Sequence, residues 1–220
     1  LATSSAASDV YKRQIQIPAE GFGSLESFPY VSFFWLLFLS LVLLMICLID
    51  DLITLPVWAR LFAQVSCTIL MIQLGDMNLI NLGAIFGGND LVLPSYFAFL
   101  FTIFCVVGIT NAFNWIDGID GFFSFQVLLA LVGLIIIGRG GFNLAHLSLL
   151  AALLPYSIMN LGLLGKKFKV FIGDHGAMMI GFFLACSFIF LTQDPLNIYE
   201  QTVRPVEALW CVGLVLLLSL

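Results

Sequence analysis

The chain has 220 residues, of which 61% are hydrophobic and 10% charged, with a formal net charge of -5 and a mean hydropathy of +1.11. So much apolar surface excludes a water-soluble domain and requires lipid as part of the solvent. The acidic balance excludes nucleic acid as a partner, because a phosphate backbone is met by a basic footprint that is lacking here.

Residues 1–29 read as a polar stub, non-cytoplasmic or foreign, ahead of a membrane-embedded domain over residues 30–220. Its opening, "LATSSAASDVYKRQ", lacks the basic-then-apolar order of a signal peptide. Seven apolar runs follow, at about 30–49, 55–74, 92–113, 119–138, 145–164, 176–192 and 206–220. The first six are predicted to be full transmembrane helices; the seventh is shorter than the roughly 20 residues a crossing needs. The expected fold is an all-α polytopic bundle, since only helices and closed barrels satisfy the backbone in lipid and no barrel-like alternation is present. Pro56 and Pro94 fall near helix starts, where a missing N–H costs little, and Pro155 falls mid-span. Cysteines 47, 67, 105, 186 and 211 lie in apolar runs without a CxxC pair and read as packing or lipid-facing residues. The stub and the short last run give the expectation of an internal piece of a longer protein, inactive on its own.

Connections between spans alternate between two faces of the membrane. One face holds the segments at 50–54, 111–121 and 165–175, together with Arg60, Lys166, Lys167 and Lys169. The other holds 75–91, 139–144 and 193–205, with Arg139 and Arg204. The lysine and arginine bias makes the first face cytoplasmic. The same parity gathers Asp50, Asp51, Asp117, Asp120 and Asp174 on that face, in "IDDLITL", "NAFNWIDGIDG" and "KKFKVFIGDHG".

Ionisable groups at membrane depth are costly unless paired, hydrated or bound to metal. Asp50 and Asp51 close an apolar helix, where carboxylates oppose the helix dipole, and a nearby cation would relieve both repulsions. Asn111, Asn114, Asp117 and Asp120 recur every three residues, on neighbouring positions of a helix that Gly118 and Gly121 loosen. Carboxamides and carboxylates in that arrangement suit ribose hydroxyls, a base edge or a hydrated magnesium. In "IGDHGAMM" a Gly-Asp-x-Gly turn opens a helix, and Asp174 is either a divalent-cation ligand beside phosphate or an N-cap. The neighbouring lysines suit a membrane surface or a phosphate.

These segments carry a resemblance. The aspartate pair after a span, "NAFNWIDGIDG", "LLPYSIMNLGLLGKKFKVFIGDHGAMMIGF" and "PVEALW", in this order, resemble the polyprenyl-phosphate N-acetylhexosamine-1-phosphate transferases from about residue 30 to the end. The resemblance implies about ten or eleven helices in the bacterial inner membrane and an active site on the cytoplasmic face. It implies transfer of N-acetylglucosamine-1-phosphate from UDP-GlcNAc to undecaprenyl phosphate, giving undecaprenyl-diphospho-GlcNAc and UMP, the first step of a cell-surface polysaccharide. Magnesium is the implied cofactor, with manganese as the alternative ion; the lipid bilayer is a partner, and a homo-oligomer is left open. By motif, Asp50 and Asp51 match the catalytic aspartate pair, Asn114, Asp117 and Asp120 the nucleotide-side motif, and Asp174 the metal ligand. Three departures stand out: "DDLITL" lacks a further charge, "GDHGAM" places His175 and Ala177 where the family has other small residues, and a histidine-rich loop is expected only after residue 220. Competing readings are another UDP-HexNAc donor, a pseudo-enzyme, and a secondary transporter, whose ion sites would lie at mid-membrane.

Overall fold

A computed structural model describes residues 28–83, 90–118, 121–137 and 144–193. Asp120, residues 1–27 of the stub predicted over 1–29, and the apolar run at 206–220 lie outside the described residues, while Phe28 and Pro29 of that stub already belong to the first helix. Chain contacts separate a unit ending at Val31 from one beginning at Ser32, and the packed helices belong to the second.

The described residues form six α-helices in order: α1 (Phe28–Ile53), α2 (Val57–Leu74), α3 (Ser95–Ile116), α4 (Phe122–Ile137), α5 (Leu144–Asn160) and α6 (Gly173–Thr192), with a 3-10 turn at Lys166–Phe168 before α6. They correspond to the first six apolar runs. Among the described residues the only β pairing is a single antiparallel bridge between Asn81 and Val92. The fold is therefore all-α. Four helices, α1 from Ser32 onward, α2, α3 and α6, are long and apolar enough to cross a membrane. α4 and α5, at 16 and 17 residues, are shorter.

Pro56 and Pro94 are the N-caps of α2 and α3, where proline's fixed φ begins a helix without costing a bond. Pro155 lies inside α5. Two sequence boundaries shift. α1 continues through Asp50 and Asp51 to Ile53, and α3 runs through Asn111 and Asn114 to Ile116, so residues assigned to connections are helical. α1 extends because its last turn is closed from within: Thr54 N–H donates to the Asp50 carbonyl and Leu55 N–H to Asp50 Oδ1 at 2.6 Å. The carboxylate thereby serves as a C-terminal acceptor, offsetting its unfavourable position on the dipole.

α6 occupies the middle. Every residue from Gly176 to Ile189 except Met179 is buried, and its largest interface is with α3. Gly181 permits that approach: a Cβ there would lie 3.0 Å from Phe113 Cβ and 3.1 Å from Thr110 Cα. Small residues at such crossings suit lipid, where helix association rests on close packing instead of expulsion of water. The outer helices bury one stripe each. On α1 it reads Leu36, Leu39, Leu43, Cys47, Asp50; on α3, Ala98, Thr102, Val106, Thr110, Phe113, Asp117. Both run at the three- or four-residue spacing of a helix face and both end on an aspartate. On α2 the stripe Met71, Cys67, Gln64 points back along the helix to Arg60. Hydroxyls within these stripes bond four residues back, as Ser40, Thr68, Thr102 and Thr110 do to Leu36, Gln64, Ala98 and Val106.

Candidate active site

The ends of α1 and α3 and the starts of α2 and α6 meet at one end of the bundle. Because the protein-facing stripe of α1 ends on Asp50, that residue is 9% exposed while its neighbour Asp51 is exposed. Asp50 Oδ2 lies 3.3 Å from one guanidinium nitrogen of Arg60, and the same nitrogen is 3.2 Å from Asp174 Oδ2. One cation thus joins three helices. Asp51 Oδ2 meets His175 Nδ1 at 2.8 Å, a second link between the aspartate pair and the Gly-Asp turn.

Asp174 is the second residue of α6. The N-cap is Ile172, with no side-chain capping bond, so Asp174 is not a cap; its half-exposed carboxylate turns to Arg60. Gly173 adopts φ 74°, and a Cβ there would meet the His175 ring 2.9 Å away. The tight turn requires glycine. It delivers Gly173 N–H to Asp117 Oδ2 at 3.0 Å, while the Tyr156 hydroxyl approaches Asp117 Oδ1 at 3.4 Å. Burial pushes the Asp117 carboxyl above the ordinary carboxylate range; hydrogen bonds from Gly173, Tyr156 and Ile172 oppose this, and the Asp174 charge adds to it.

The remaining predicted residues divide. Asn114 Oδ1 is buried without a hydrogen-bond partner among the described residues, one turn before Asp117. Asn111 is already engaged: its Nδ2 donates to Gln64 Oε1 at 2.7 Å and to the Val107 carbonyl at 2.8 Å, tying α3 to α2 beneath the site. Asp50, Asp51, Asp117 and Asp174 are brought together; Asp120 lies outside the described residues. Among those residues no three His, Cys, Asp or Glu side chains gather as a metal cage. What forms is a pair, Asp50 and Asp174, sharing one cation.

Three further residues belong to the site without being singled out by the sequence. Arg60 reads there only as a topology charge. Asn160, 1% exposed, accepts Gly121 N–H at 2.6 Å and donates to the Val170 carbonyl at 2.9 Å, clamping the start of α4 to the segment before α6. Gln64, 1% exposed, supports Asn111 and also approaches Met178 Sδ at 3.5 Å. The signal available for all three is a charge or carboxamide within or closing an apolar run, which demands a partner.

Membrane-length helices define a polytopic membrane protein, and among the described residues four of its carboxylates converge at one end of the bundle rather than in its middle. The chain belongs to glycosyl transferase family 4, whose family model matches residues 33–192. It is 37% identical over 180 residues to the undecaprenyl-phosphate alpha-N-acetylglucosaminyl 1-phosphate transferase of Escherichia coli strain K12, covering 80% of this chain and 48% of that protein. The protein of the same name from Haemophilus influenzae is 38% identical over 186 residues, 82% of this chain and 51% of its own. That from Yersinia pestis is 34% identical over 173 residues, 77% and 46% respectively. The chain thus spans about half the length of the curated relatives it matches.

Proposed function

We propose that the protein transfers N-acetylglucosamine-1-phosphate from UDP-GlcNAc to undecaprenyl phosphate, releasing UMP, at the cytoplasmic face of the bacterial inner membrane. The observation that carries this reading is the meeting of Asp50, Asp51, Asp117 and Asp174 at one bundle end in a family 4 chain. A water-soluble sugar nucleotide and a lipid phosphate can meet only at such a surface. The names of the relatives support the acceptor and the transferred group.

Asp50 and Asp174 suit magnesium, which takes one or two carboxylates and leaves its other positions to phosphate oxygens and water. The ion, or manganese in its place, would supply neutralisation of the diphosphate charge. The chain's own groups supply the rest. Asp51, exposed and paired with His175, is placed to keep the acceptor phosphate deprotonated. The N-terminus of α6, with its first-turn N–H groups, favours a phosphate nearby. The buried acceptor of Asn114 suits a ribose or base donor, and Asp117 holds the turn that fixes Asp174. The departing bond is that between the UMP oxygen and the sugar-bearing phosphorus, and the acceptor phosphate oxygen forms the new one. UMP leaves with the electron pair of the broken bond.

The test is UMP release by the complete protein of which this chain is a part, in detergent with undecaprenyl phosphate and magnesium, from UDP-GlcNAc, UDP-GalNAc and UDP-MurNAc-pentapeptide in parallel. Release from UDP-GlcNAc alone is the expected result. Release from another donor would retain the reaction and change the substrate. No UMP from any donor, with protein that remains monodisperse, would overturn the reading.

A further inference from the structure

Arg60 engages both carboxylate oxygens that a divalent cation would use. A single guanidinium nitrogen lies 3.3 Å from Asp50 Oδ2 and 3.2 Å from Asp174 Oδ2. A divalent ion that took both oxygens as ligands would compete with that nitrogen for them, because each already serves the guanidinium. The arginine and the ion are mutually exclusive between these two atoms. The remaining geometry makes exchange feasible. Asp50 is anchored independently through Oδ1 to Leu55 N–H, and Asp174 belongs to the first turn of a buried helix. Asp50 is thus held without the arginine, whereas the half-exposed Asp174 carboxylate is drawn to it by the guanidinium. The Arg60 side chain is 25% exposed and reaches from the open first turn of α2, so it has a route outward.

We propose that Arg60 is a displaceable internal counter-ion, which holds Asp50 and Asp174 together in the cation-free protein and must be expelled when a divalent cation takes both. This rests on the reading of these carboxylates as a metal pair. The consequence is a weak ion site in the absence of nucleotide. With the guanidinium present, the pair and its counter-ion sum to one negative charge; without it they sum to two. A free divalent ion therefore competes against a tethered cation, whereas an ion arriving on a diphosphate brings part of its own ligand shell. The structure thus favours joint entry of ion and donor over prior loading of the ion. Arg60 on this account is a positioning residue that sets the order of binding.

The experiment is Mn2+ titration followed by electron paramagnetic resonance on the full chain in detergent, without substrates, for wild type, Arg60→Gln, Arg60→Lys and Asp174→Asn. Arg60→Gln is expected to bind Mn2+ about tenfold more tightly than wild type, the scale of removing one partly screened charge at contact distance. Arg60→Lys restores a competing cation and should stay within about threefold of wild type. Adding UDP should tighten Mn2+ binding more in wild type than in Arg60→Gln. Equal or weaker Mn2+ binding by Arg60→Gln, in protein whose thermal unfolding matches that of Arg60→Lys, would overturn the proposal, showing that the arginine supports the ion. Failure of Mn2+ to bind any variant would also overturn it. If wild type still releases UMP, that failure leaves the transferase reading standing. Binding that survives Asp174→Asn unchanged would place the ion elsewhere and overturn it as well.

Discussion

Asp117 shows how one side chain can serve position and chemistry in conflict. Its carboxylate is buried, yet it accepts the N–H that holds the Gly-Asp turn. Because burial raises its pKa above the ordinary 3.8, the folded protein holds this proton at higher pH than the unfolded chain does. The stability that the proton lends is complete below the unfolded value and is lost as pH rises through the folded one. Asp117→Asn keeps an acceptor for Gly173 N–H and removes the buried charge. Its melting temperature relative to wild type should therefore climb as pH is raised from about 4 towards neutrality. UMP release should meanwhile fall by about 100-fold or more, if the charge acts in the site. A parallel pH profile for both proteins would refute the first expectation. Asp174→Asn removes one of the two carboxylates that meet at Arg60, and UMP release at saturating magnesium should drop by about 100–1000-fold; wild-type turnover would sink the metal assignment.

Asp50, Asp51, Asp117 and Asp174 are legible in the sequence because charged residues in an apolar chain are few and the parity of the spans sorts them. Their pairing is not. Arg60 is nine residues from Asp51 in sequence but reaches Asp174 across 114 positions, a relation only folding creates. Spacing presents Asn111 as a nucleotide ligand, whereas the α2 face carrying Gln64 already uses its amide; spacing shows which face a residue is on and not what that face meets.

At the scale of elements, the helices are readable from apolar runs, and their ends are less so. Asp50 Oδ1 fixes the chain just past the end of α1 by accepting Leu55 N–H, an effect that hydropathy does not register. The connection between α5 and α6 depends on Asn160. Asn160→Ala would leave Gly121 N–H and the Val170 carbonyl without their partner, each worth about 1–3 kcal/mol where buried. Unfolding in mixed detergent should report a loss of roughly that size, and unchanged stability would show the clamp to be redundant. Gly181→Leu would drive a side chain into Phe113 and Thr110, separating α3 from α6. The expected loss is about 1–3 kcal/mol, from overpacking at a close crossing. A variant as stable as wild type would mean that α3 can withdraw.

Among the described residues from Ser32 onward, α6 is buried among the other helices, with polar ties at both of its ends. Opposite the aspartates, Gln193 at the end of α6 accepts Ile80 and Asn81 N–H and donates to the Asn81 carbonyl at 2.7 Å. The two ends place the proposed orientation under direct test. Gly118 and Lys167 are exposed near the aspartates, and Asp90 is exposed at the other end. In a cysteine-free background, Gly118→Cys and Lys167→Cys should react with an impermeant maleimide only from the cytoplasm, and Asp90→Cys only from outside. The reverse pattern would invert the protein in the membrane.

The buried position of α6 also bears on how the molecule is made. Of the described helices it is synthesised last, 56 residues separating Asp117 from Gly173. At 5–20 residues per second, roughly 3–11 s pass between the two. During that interval the slot among the earlier helices has no α6 to fill it, and Asp117 waits for the N–H of the Gly-Asp turn. Arg60 and Asp50, neighbours across the α1–α2 hairpin, can already pair. Insertion of α6 fills the slot and brings Asp174 to the waiting arginine and Gly173 N–H to Asp117 in one event.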